Sequence, residues 1–92
     1  MAELQKQLTE APAAVVIANH CFGIFELAAL HLSLQPPRLS EAQLAIDALA
    51  ALVEGLGDRL GEQQAQLNEA LSQLRLAFVQ IRAANLGAGE GI

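Results

Sequence analysis

The sequence predicts an all-α protein, a small three-helix bundle in which one apolar helix precedes a helical hairpin. Three observations carry this prediction. Of the 92 residues, 53% are hydrophobic and only 3% aromatic, so packing falls to Ala, Leu, Ile and Val, which together with nine Gln favour helix. Apolar residues recur at three- and four-residue spacing, with no strand-like alternation and no internal repeat. Two breaks, SLQPPRLS and GLGDRLGE, divide the chain into segments of helical length.

The apolar helix is expected over residues 12–34. Pro12 suits a first turn, Pro36 cannot continue a helix, and Pro37 turns its predecessor away from helical geometry. The middle helix is expected over 40–56, opened by a capping box of Ser40 and Gln43. Its apolar stripe is Ala42, Ala45, Ile46, Leu49, Leu52, Val53 and Leu56, and Glu41, Asp47 and Glu54 fall on a solvated face. Gly55, Gly57 and Gly61 then let the chain reverse. The last helix is expected over 62–86 with a stripe of Leu67, Ala70, Leu71, Leu74, Ala77, Phe78 and Ile81. Glu62 near its start and Arg75 and Arg82 late in it suit the helix dipole. Residues 1–10 and 87–92 are expected to fray, leaving one domain over residues 1–92.

Two of these helices carry apolar residues on more than one side. At 100° per residue, Val16, Ile17, His20, Ile24, Leu27, His31 and Leu34 share one side of the apolar helix, and Val15, Ala18, Phe22, Phe25, Ala29 and Leu32 occupy the other. Leu76, Val79, Ala83 and Leu86 form a second row on the last helix. A helix apolar all round is buried all round, and two amphipathic helices cover only one side of it. The bundle is therefore expected to be completed by homo-oligomerisation, as a homodimer. The candidate interface is His20, Phe22, Gly23, Ile24, Phe25, Leu27, His31, Leu76 and Val79. Gly23 lies mid-helix, where Gly costs about 1 kcal/mol relative to Ala, and so predicts a second backbone crossing close by. An antiparallel crossing centred between Phe25 and Glu26 sets His20 of one chain beside His31 of the other.

Charge and composition narrow the function. Ten acidic residues against five basic ones give a net charge of -5, and the cations Lys6, Arg38, Arg59, Arg75 and Arg82 are scattered. Nucleic acid needs grouped cations, as does an anionic membrane surface, so neither is an expected partner. A single Cys excludes an internal disulfide, and MAELQKQLTEAP lacks the basic-then-apolar order of a secretion signal; a cytoplasmic setting is expected. The run AAVVIANHCFGIFELAALHLSL is long enough to span a bilayer, but Glu26 at its middle, with Asn19, His20 and His31, weighs against a span. His20 and His31 share a face yet stand ~16 Å apart along the axis, too far for one ion within a chain. They read as partly buried, hydrogen-bonded interface side chains, and Cys21 reads as a small buried hydrophobe. No catalytic, cofactor-binding or metal-ligating set is predicted.

The segments EAPAAVVIANHCFGIFELAALHLSL, LSEAQLAIDALAALVEGL and LNEALSQLRLAFVQI resemble a small bacterial family called domain of unknown function 1844, in particular its actinobacterial-type members. The positions that carry the resemblance are Pro12, Ala13 and Val15; Leu32 and Leu34; Ala45, Ile46, Asp47, Ala48, Leu49 and Leu52; and Leu71, Leu74, Ala77 and Phe78. Two departures are the turn His31-Leu32-Ser33-Leu34 and the short loop QPPRLSE. The resemblance implies a helical fold and no established activity or cofactor. Asp47, the polar residue of its most recognisable motif, is thereby expected to make a helix-to-helix hydrogen bond or a partner contact. The expected function is non-catalytic: an interaction or accessory module that associates with itself and with a further protein. The alternative is a carrier of an apolar small molecule or lipid, using a cavity between Phe22, Phe25 and Phe78. An enzyme or metal protein using the histidines is the least favoured reading.

Overall fold

The computed structural model describes residues 2–90, and the described residues are all-α, without a strand. Four α-helices follow in order: α1 (Ala2–Glu10), α2 (Ala13–Ser33), α3 (Leu39–Leu56) and α4 (Gln64–Glu90), with a 3-10 segment, Gly57–Gln63, before α4. The bundle consists of α2, α3 and α4, each packed against the other two.

The apolar spacing of each helix sets which side it buries. Ala18, Cys21, Ala28 and Leu32 of α2 share one core with Ala42, Ala45, Ile46, Leu49, Ala50 and Val53 of α3 and with Leu67, Leu71, Leu74 and Phe78 of α4. The small residues Ala18, Cys21, Ala28, Ala42 and Ala45 are all nearly inaccessible. Side chains of that size let the backbones of α2 and α3 approach closely, and Leu49, fully buried, fills the space between the helices. Leu60 of the 3-10 segment closes one end.

The breaks behave as the sequence predicts, with local differences. Gly57 and Gly61 hold φ of +54° and +69°, values that L side chains rarely adopt, and they turn the chain from α3 into α4. Ser40 does not open the middle helix. Its start is Leu39, flanked by Arg38, and no side chain caps it. The reason lies in the backbone: Arg38 N–H donates to the His31 carbonyl at 3.0 Å, and the Arg38 carbonyl accepts from Ala42 N–H at 2.9 Å. The start is thus set by the return of the chain onto the end of α2, and Gln43 bonds elsewhere. The N-terminal segment, expected to fray, is the helix α1. All of its described side chains are exposed, and it makes no substantial packing contact with the bundle helices. α4 likewise continues to Glu90 rather than ending near Leu86, and residues 91 and 92 of the expected frayed tail lie outside the described residues.

Candidate functional site

Among the described residues an apolar face of α2 and one of α4 are left uncovered. Ala18, Cys21, Ala28 and Leu32 turn one side of α2 to the core, so His20, Gly23, Leu27 and Leu30 fall opposite. His20 and Gly23 are exposed, and Leu27 and Leu30 keep 48% and 55% of their surface accessible. α2 is long and apolar enough to cross a membrane by length and composition, with mean hydropathy 1.8 over an 18-residue window, yet only 17% of that window is buried. On α4 the uncovered pair is Leu76 and Val79, at 59% and 52%. A long apolar helix with so little of itself buried is unusual for a core element, because a soluble fold ordinarily hides such a surface.

The structure sorts the sequence-predicted interface residues into two groups. Gly23, Leu27, His20, Leu76 and Val79 lie on the open faces. Phe22, Ile24 and Phe25 do not; they are half-buried and pack against the core from within the chain. His31 is also half-buried, and its Nδ1 is buried without a hydrogen-bond partner among the described residues. Within one chain the phase of α2 turns His20 outward and leaves His31 half-buried. Gly23 is not a close-approach point inside the chain either, since a Cβ added there meets nothing within 4 Å.

Asp47 is exposed and accepts a hydrogen bond from Gln43 Nε2 at 2.8 Å, one turn earlier on the same helix. Within the chain this takes the place of the expected helix-to-helix bond, because the spacing of four residues satisfies the carboxylate locally; the other expectation, a partner contact, concerns a second molecule. The cross-helix polar link is Arg75 Nη1 to Glu54 Oε2 at 3.1 Å, both half-exposed, which joins α4 to α3 where the sequence predicts a solvated face. Cys21 is fully buried, and desolvation pushes its thiol above the ordinary value of 9.0. A protonated, inaccessible thiol is a poor nucleophile. No cluster of three or more His, Cys, Asp or Glu suited to a metal occurs among the described residues.

The three phenylalanines do not enclose a common cavity. Phe25 lines an open groove of about 310 Å³ between α2 and α4 with Ala29, Leu32, Leu74, Ala77 and Ile81. Phe22 shares a second groove with Phe25 and Ala70. Phe78 belongs to a third, on the α3–α4 side, with Ile46, Asp47 and Val79. The separation follows from α4 lying across the middle, with Phe78 on its far side. Sequence reasoning missed Leu30, whose helical angle places it beside Leu27 and Gly23, and missed Leu44, 67% exposed on α3. No protein-family model matches the chain, and neither a curated protein nor a solved structure matches it.

Proposed function

We propose that this chain is a non-catalytic, self-associating helical module of the cytoplasm, a homodimer that uses the outer face of α2 and serves as an interaction or accessory protein for a further protein. The observation that carries this is the open apolar face of Gly23, Leu27 and Leu30 on a helix with 17% of its apolar window buried. A second copy suits that face better than lipid does. Asn19, His20 and Glu26 are exposed on the same helix, and a carboxylate at mid-bilayer costs about 2.5–3.5 kcal/mol even on the lenient scale. The kinship with domain of unknown function 1844 belongs to this reading as well, and it adds no activity.

A second reading, carriage of an apolar small molecule, is favoured by the groove of about 310 Å³ whose walls are Phe25, Ala29, Leu32, Ala77 and Ile81. Its volume falls at the low end of small-molecule sites. Native mass spectrometry of the purified chain separates the two. Self-association yields copies of the chain alone, whereas a carrier retains additional mass of lipid or fatty-acid size. A monomer bearing such mass would reverse the order of the readings.

A further inference from the structure

We infer that the open face of α4 is covered by α1 of a second copy, with the two helices antiparallel. The inference rests on the self-association proposed above and adds a contact to it. α1 is the element that needs a surface. A nine-residue helix alone in water is marginal, its described side chains are exposed, including Leu4 at 56%, and it makes no substantial packing contact with another helix of its chain.

α4 offers a surface with matching charge. Arg75 and Arg82 stand seven residues apart, ~10.5 Å along the axis, and Glu3 and Glu10 stand at the same spacing on α1. Antiparallel docking sets Glu3 against Arg82 and Glu10 against Arg75. On each helix the apolar residues lie on the same rotational side of the charged pair: Leu4 follows Glu3, and Leu76 and Val79 follow Arg75. Antiparallel helices meet with like flanks together, so the register that pairs the charges also lays Leu4 on the Leu76–Val79 side. Parallel docking matches the charge spacing equally well but sets Leu4 against the arginines. Arg82 lies over the Phe78 ring, 5.7 Å from its centroid, and has no carboxylate within 4.0 Å among the described residues. Arg75 bonds Glu54 through Nη1 and keeps further N–H donors.

The arm comes from another copy because its own cannot reach. α2 and α4 run side by side in the same direction, Phe22 beside Glu69 and Ala70, then Leu32 beside Ile81. Pro12 is thereby level with the 3-10 segment just before α4, roughly 20 Å before Arg75. Ala11 and Pro12, which join α1 to α2, span about 7 Å at full stretch.

The test mixes two full-length chains, both Cys21→Ala, one carrying Leu4→Cys and the other Val79→Cys, and oxidises them after subunit exchange. The 4-to-79 disulfide is expected to exceed both homodisulfides about fivefold. Arg82→Glu on the Val79→Cys chain is expected to lower its yield about fivefold, and Glu3→Arg on the Leu4→Cys chain to restore it. A 4-to-79 yield no higher than the homodisulfides, or one indifferent to Arg82→Glu, overturns the contact. Sedimentation of the unoxidised mixture separates the two failures: a monomer removes self-association and this contact together, and an oligomer without the 4-to-79 bond removes this contact alone.

Discussion

Replacing Leu27 and Leu30 together by Lys is expected to dissociate the proposed homodimer while leaving the bundle folded. The two side chains keep 48% and 55% of their surface accessible in the single chain, so about half of the burial available to each is still to be gained. Complete burial of a Leu side chain stabilises by about 1.5–3 kcal/mol, and half of that is roughly 1 kcal/mol. Summed over both residues in both copies, the loss is about 4 kcal/mol, or roughly a thousandfold in the dimer dissociation constant. Within one chain the same substitutions sit on the surface, where changes of stability stay within about 0.5 kcal/mol. Sedimentation equilibrium reads the dissociation constant, and circular dichroism at high dilution reads the helix content. A dissociation constant within about threefold of the parent means that a second copy does not cover this face.

Three further outcomes test the fold beneath that face. Leu49→Ala removes the fully buried side chain between the helices and is expected to destabilise by about 2–5 kcal/mol in denaturant unfolding; a loss below about 1 kcal/mol would mean that the core is not packed as described. Gly61→Ala meets no neighbour within 4 Å but must hold φ +69°, so its expected cost of about 1–3 kcal/mol is conformational, and an unchanged midpoint would contradict the turn. Cys21 has a folded pKa raised by burial above 9.0. The unfolded thiol therefore releases its proton first as pH rises, and the stability held below pH 9 declines above it. Denaturant midpoints measured from pH 8 to about 10 should show that decline in the parent and lack it in Cys21→Ala, and parallel profiles would contradict the burial.

The stripes on α3 and α4 were legible because each of those helices has one dominant apolar side. Ala42, Ala45, Ile46, Leu49 and Val53 are buried at the positions their spacing predicts, as are Leu67, Leu71, Leu74 and Phe78. α2 carries apolar residues all round, so its period defines a helix but not its phase. Which side met the bundle was decided by its partners. Phe22, Ile24 and Phe25 went to the core and Leu27 and Leu30 stayed outside, a division that no count along the sequence distinguishes. The start of α3 was misread for a related reason. A Ser-x-x-Gln pattern satisfies helix N–H groups only where the chain enters freely, and here the Arg38 bond to the His31 carbonyl sets the entry. Asp47 shows the same competition in reverse, with a nearby Gln43 amide bonding a carboxylate expected to reach another helix or a partner. α1 was the least legible element, since its nine residues carry helix-forming side chains and little apolar surface to announce a packing partner.

In the proposed homodimer α2 buries its outer face against another copy of the chain. Sedimentation equilibrium of the unmodified protein in detergent-free buffer, from about one to about a hundred micromolar, tests it most directly. The homodimer is expected to give a mass twice the 9.7 kDa of the chain across the upper part of that range. A single species at 9.7 kDa throughout, fully helical and soluble, would contradict it.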